Sequence, residues 1–155
     1  MNLSDLLKPE AVLPSMHAQS KKQVLQELSA VAARQTGLPE REIFDTLLQR
    51  ERLGSTGVGQ GVAIPHGKLR ALDHLVGVFG RLTRPVDFDS LDEQPVDVVF
   101  VLLAPETAGA DHLKALARIA RILRDPAMAQ KLRSAVNADG VYAILTGLDE
   151  ASHAA

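Results

Sequence analysis

Apolar residues recur at helical spacing in two early segments of the chain. Val24, Leu25, Leu28, Val31 and Ala32 follow Ser20 and Gln23, which are placed as a capping box, and Gly37 offers a left-handed stop. This pattern predicts a helix over about 20–36. Ile43, Phe44, Leu47 and Leu48 form a second stripe. Pro39 suits its first turn, Glu40 and Glu42 its positive end, and Arg50 and Arg52 its last turn before Gly54. The periodicity then stops at GSTGVGQG (54–61), four glycines in eight residues, which reads as a tight loop leading into a short strand from Val62 to His66.

LVGVFGRL (75–82) and VDVVFVLL (96–103) read as strands, the second apolar at nearly every position, as in a strand covered on both faces. TRPVDFDSLDEQP between them reads as loop or edge. Asp111 opens a long helix with Leu113, Leu116, Ala120 and Leu123 expected inward and Lys114, Arg118 and Arg121 outward. Asp125-Pro126 restarts a helix to about 135, and a last one is expected from about Asp139 to Gly147. Helices flank the strands in sequence, so an α/β fold with a mixed or mostly parallel sheet covered by helices on both faces is the economical architecture.

A length of 155 residues suits one domain, here 1–155 with an ordered core over about 5–147. Hydrophobic residues make up 46% and charged residues 23%, which excludes a disordered chain, and a net charge of -2 gives no pull toward nucleic acid or anionic membrane. The apolar run VVFVLLA (98–104) is far short of the roughly 20 residues of a membrane span. Asp5, Lys8 and Glu10 stand where a signal peptide would have its apolar segment, so a cytoplasmic protein without membrane insertion is expected. The sequence has no cysteine, which removes disulfides, thiolate metal sites and cysteine nucleophiles.

The candidate chemistry centres on GVAIPHGKL (61–69). The glycines do not form a nucleotide motif: Gly67-Lys68 is followed by Leu69 rather than Ser or Thr, and a helix precedes the glycines where a dinucleotide fingerprint needs a strand. What Gly57, Gly59 and Gly61 offer is exposed backbone N–H groups, with the hydroxyls of Ser55 and Thr56, as a nest for a small dianion. A histidine at one strand end, taken by position alone, is a partly buried structural residue. His66, however, has Pro65 fixing its backbone, Gly67 clearing bulk from beside its ring, and the loop ending five residues earlier. His112 falls in the first turn of the long helix, where the macrodipole disfavours imidazolium and attracts an anion. Arg50 complements its helix dipole and is also placed to pair with a dianion in the loop. His17, His74 and His153 have no supporting context and read as surface residues.

RERLGSTGVGQGVAIPHGKL from Arg50, together with LLAPETAGADHLKALARIARILRD (102–125), resembles the IIA proteins of the bacterial phosphotransferase system, mannitol/fructose type, in the nitrogen-regulatory branch. The resemblance implies a mixed α/β fold in which His66 accepts a phosphoryl group from an HPr-like phosphocarrier. It also implies that His112 and Arg50 are the second active-site histidine and the active-site arginine. It needs no cofactor or metal. Regulatory targets such as potassium transporters or sensor kinases would follow from the same resemblance. A transport IIA component passing phosphate to a IIB protein is the alternative; the IIB acceptor there is a cysteine, which this chain lacks. A metal-dependent hydrolase using His66 and His112, with Asp111 and His74 as further ligands, finds no recognised ligand spacing.

Overall fold

The computed structural model describes residues 2–154, with side chains described through residue 147. The first helix, α1 (Lys21–Thr36), buries Val24, Leu25, Leu28, Val31 and Ala32, the stripe its sequence predicts. Ser20 Oγ accepts from the Gln23 backbone N–H at 3.1 Å, but the reciprocal arm differs from a capping box: Gln23 Oε1 accepts from the Gln19 N–H, one residue earlier, at 2.7 Å. Helix α2 (Glu40–Leu53) buries Ile43, Leu47 and one charged residue, Glu51.

Six strands form one mixed sheet: β1 (Val12–Met16), β2 (Gly57–Gly59), β3 (Val62–Ala63), β4 (His66–Leu69), β5 (Val76–Val86) and β6 (Val96–Pro105). Their order is β1-β5-β6-β3-β2, with β4 also on β6. β6 runs antiparallel to β5 and parallel to β3 and β4, β1 is parallel to β5, and β2 folds back antiparallel on β3. β6 is buried without interruption from Val98 to Pro105, and Phe79 of β5 meets Phe100 of β6 edge-on at 6.5 Å. Burial on both faces explains its unbroken apolar run.

Strand β1 went unpredicted because Pro14 breaks its pattern; it lies at the edge of the sheet, where a missing N–H is tolerated. The Pro14 carbonyl accepts from Arg81 Nε at 2.8 Å. Helix α3 (Ala110–Arg124) starts one residue before Asp111, with Gly109 as its N-cap. Its buried face is His112, Ala115, Ile119 and Leu123, so the expected inward position of Leu113 is corrected: that side chain is 67% exposed. Helices α4 (Pro126–Ser134), capped by the Asp125 carboxylate on the Ala127 N–H, and α5 (Ala138–Ala154) follow; α5 continues well past Gly147.

Neighbouring residues of a strand face opposite sides of the sheet, and this sets the site. At Gly67 a Cβ would lie 2.6 Å from Thr46 Cγ2 of α2. The glycine is there to admit the helix, rather than to clear space beside the His66 ring. His66, one residue earlier, faces the other side, where it meets His112 of α3. Among the described residues no helix is long and apolar enough to cross a membrane.

Candidate active site

β3 and β4 keep a single register along β6, with Val62 opposite Val98, Ala63 opposite Val99 and His66 opposite Leu102. Pro65 has no N–H to give the ladder, but its carbonyl still accepts from Leu102 N at 2.9 Å. The Ile64 carbonyl accepts from His66 Nδ1 at 2.8 Å. A carbonyl cannot donate, so the proton of the neutral ring is held on Nδ1 and the lone pair lies on Nε2. The Ile64 carbonyl, two residues back across Pro65, therefore selects the tautomer of His66.

The His66 and His112 ring centroids are 5.6 Å apart with planes inclined by 55°. His112 is the third residue of α3 and only 6% exposed, and its Nδ1 is buried with no hydrogen-bond partner. Both imidazoles are held below their ordinary range. For His66 burial is the main cause and the Arg50 charge adds to it, against the Ile64 carbonyl and Glu51, which favour the proton. For His112 burial again dominates, followed by His66 and Lys68. Both rings are thus neutral near pH 7.

Arg50, in the last turn of α2, is half-buried and donates from Nη1 to the Gly54 carbonyl at 3.0 Å. Its charge reaches His66, so the structure brings together the three residues His66, His112 and Arg50. Two residues were not anticipated. Glu51 is buried beside Arg50 and accepts from the Thr56 N–H at 3.1 Å, from the Thr56 hydroxyl, and from Lys21 Nζ at 3.1 Å. Lys21 also pairs with Asp89 at 3.0 Å and lies over the Phe88 ring. A carboxylate in the last turn of a helix opposes the dipole, and that was the signal available in sequence. The other is Lys68, two residues beyond His66 on the same face of β4, whose charge acts on His112.

The glycine segment needs correcting. Residues 57–63 form a hairpin, β2 and β3, rather than an open loop. Its turn, with Gly59 at φ 97°, Gln60 at 60° and Gly61 at 80°, lies at the Val98 end of the sheet, five residues from His66 along an extended strand. That is about 16 Å, too far for an anion on Gly59 or Gly61 to meet the imidazole. Gly57 has no positive φ; its Cβ position is filled by the Ser90 side chain. Ser55 Oγ donates to the Phe88 carbonyl at 2.6 Å and accepts from Gly57 N at 3.0 Å, while Thr56 is bound to Glu51. The two hydroxyls and the Gly57 amide expected to form a nest are therefore engaged in holding the chain.

At Gly61 a Cβ would lie 2.6 Å from Arg133 Nη2, and that guanidinium bridges the Asp97 carboxylate at 2.8 Å and the Gln60 carbonyl at 2.9 Å. Gly61→Ala is expected to cost about 1 to 3 kcal/mol through the positive φ and the crowded bridge. Thermal or urea unfolding checks this, and an unchanged midpoint would contradict it.

His17 and His74 are exposed; His74 Nδ1 lies 2.5 Å from Asp73 Oδ1 and His17 Nδ1 lies 3.2 Å from Thr83 Oγ1. The His153 side chain lies outside those described. Among the described residues no group of three or more His, Cys, Asp or Glu side chains is placed to hold a metal ion.

The family model for the phosphoenolpyruvate-dependent sugar phosphotransferase system, EIIA 2, matches residues 5–147. A nitrogen regulatory protein of Bradyrhizobium diazoefficiens is 61% identical over 145 residues, 94% of this chain and 95% of the relative. The crystal structure of nitrogen regulatory protein IIA-Ntr from Neisseria meningitidis superposes with a TM-score of 0.89 at 37% identity, covering 93% of this chain and 99% of that one. The fructose-specific EIIABC component of Bacillus subtilis is 32% identical over 97% of this chain but only 24% of its own length.

Proposed function

Because the chain belongs to the EIIA 2 family of the phosphoenolpyruvate-dependent sugar phosphotransferase system and is a nitrogen-regulatory member of it, we propose that His66 Nε2 is the atom that accepts the phosphoryl group. The observation that carries this reading is the Nδ1–H bond to the Ile64 carbonyl, which leaves Nε2 as the lone pair of a neutral ring. Family membership implies phosphotransfer partners, and an HPr-like carrier is the proposed donor. We take the chain as one domain working in the cytoplasm.

In the transfer, the Nε2 lone pair forms the N–P bond as the donor's bond to phosphorus breaks and its electron pair returns to the donor. The ring keeps its Nδ1 proton throughout, so the phosphorylated imidazole carries positive charge and neutral imidazole is the leaving group when phosphate moves on. No general base is needed. The transition state is loose, with charge spread over three equatorial oxygens, and its stabilisation falls to Arg50 and His112. Arg50 can offer guanidinium donors beyond the one held by Gly54. His112, neutral at the start of α3, donates one N–H and adds the positive end of the helix dipole.

The phosphoryl oxygens carry about -1.5 to -2 charges against the single positive charge of the ring, so the site becomes more negative by about half to one charge, enough to change which surface a partner prefers. Potassium transporters and sensor kinases are the target classes proposed from the family likeness. Passing phosphate to a IIB protein is the competing use. The 61% identity to a nitrogen regulatory protein, against 32% for the fructose component, favours regulation.

The test is phosphotransfer from an HPr-like carrier charged by phosphoenolpyruvate. One acid-labile phosphoryl group per chain is expected, and no transfer at stoichiometric carrier would sink the reading. Protonation removes the attacking lone pair, and burial and Arg50 hold His66 below its ordinary range. The acceptance rate should therefore be level from about pH 8 to about pH 7 and fall only below the ordinary imidazole value of about 6.5. Loss centred above that value would contradict the electrostatic account of the ring. Titration of the His66 ring by NMR separates its contribution from that of the donor.

A further inference from the structure

We propose that Lys68 is a further catalytic residue, an ammonium that binds the oxygens of the phosphoryl group on His66. The proposal rests on the reading of His66 as acceptor. His66 and Lys68 sit opposite Leu102 and Ala104 of β6, two residues apart on one strand and so on one face. Their Cα atoms are separated by about 6.6 Å, a gap that the four-carbon lysine stem can span. Gly67 between them belongs to the opposite face, where α2 fills its space. Lys68 is thus the next side chain of β4 on the face that carries the acceptor.

Two other bases near the hairpin and α2 are already committed. Lys21 is held between Glu51 and Asp89, and Arg133 is held by Asp97. Lys68 is exposed and, among the described residues, makes no hydrogen bond or ion pair. Its charge is nevertheless felt at His112, which ties it to the two-histidine cluster.

The charges at the site then decide what it is for. Both rings are neutral near pH 7. Glu51 is matched by Lys21, leaving Arg50 as a single positive charge beside His66. An arriving phosphoryl group brings about -1.5 to -2. That charge lies on the phosphoryl oxygens while the compensating proton stays on Nδ1 at the far side of the ring, and a flexible ammonium on the same strand face can donate to those oxygens beside Arg50. Lys68 forms and breaks no covalent bond and transfers no proton; its N–H groups follow the phosphoryl oxygens as the N–P bond forms.

The experiment uses the full chain with Lys68→Met and Lys68→Arg, and two readouts. With the charged carrier, Lys68→Met should lower the maximal acceptance rate about 10- to 100-fold while KM changes by less than about threefold, and Lys68→Arg should recover most of the loss. In the isolated phosphorylated protein, 31P NMR should show the phosphoryl group of Lys68→Met losing its last proton at higher pH than wild type, with arginine restoring the wild-type position. That second readout involves no partner. A raised KM with an unchanged 31P titration would make Lys68 a docking residue and overturn the proposal. Unchanged behaviour in both would make it a solvated lysine and overturn it equally. A wild-type protein that takes up no label at all is a different result, since it removes the acceptor reading itself.

Discussion

His66→Ala is expected to take no stable phosphoryl group from a charged carrier while folding as the wild type does. The substitution removes the Nε2 lone pair, and no other described nucleophile occupies that position. His112 cannot stand in, because it is sealed to 6% exposure within the first turn of α3 and its Nδ1 is buried. The structural cost is small. His66 is only partly buried, and the one hydrogen bond lost, to the Ile64 carbonyl, contributes about 1 kcal/mol. The backbone of β4 keeps its register through Leu102 and Leu103. Labelling should therefore fall below detection while circular dichroism and the thermal midpoint stay close to wild type. Undiminished labelling would transfer the acceptor role elsewhere.

His112→Ala has the second-largest expected effect and a different signature. The acceptor remains, so label still reaches His66, but more slowly by about 10- to 1000-fold, the range for removing one donor that meets developing charge. Alanine also opens a cavity against α3, so a loss of activity could reflect disorder there. His112→Gln separates the two, because it returns an amide N–H and much of the volume. Partial recovery of the rate with glutamine, at a stability similar to that of the alanine variant, identifies the donor as the missing element. Equal rates in wild type and alanine variant would remove His112 from the chemistry and leave it a core residue.

The parts of this fold legible in sequence were those whose signal is local. Ser20 and Gly37 bracket α1 because caps act on adjacent backbone, and β6 betrays its two covered faces through an unbroken apolar run. What escaped depends on partners distant in sequence. β1 is stabilised by pairing with β5, and its own Pro14 argues against a strand. The hairpin of β2 and β3 has too few side chains for any periodicity, so four glycines read as loop when they are partly packing devices, Gly61 against Arg133 and Gly57 against Ser90. The phase of α3 was misjudged because Leu113 was given a core role that the less apolar His112 holds.

The site divides in the same way. A motif singles out His66, His112 and Arg50, and what the structure adds is that the three come together. The nest of Ser55, Thr56 and the glycines was inferred from composition, and it dissolves once Glu51 and the Phe88 carbonyl are seen to take the hydroxyls. Glu51 was hidden because its burial arises from Lys21, thirty residues away in sequence. Lys68 could have been read from strand alternation alone; it was passed over because Gly67-Lys68 before Leu69 was weighed only as a nucleotide signature, which failed.

The account stands most directly on which nitrogen carries the phosphoryl group. Protein labelled with 15N at its histidines, phosphorylated by the charged carrier and observed by 1H, 15N and 31P NMR, answers this in one sample. The expected result is a 31P coupling to Nε2 of His66, with the Nδ1 proton retained and still bonded to the Ile64 carbonyl. A phosphoryl group on Nδ1 of His66, or on either nitrogen of His112, would contradict it.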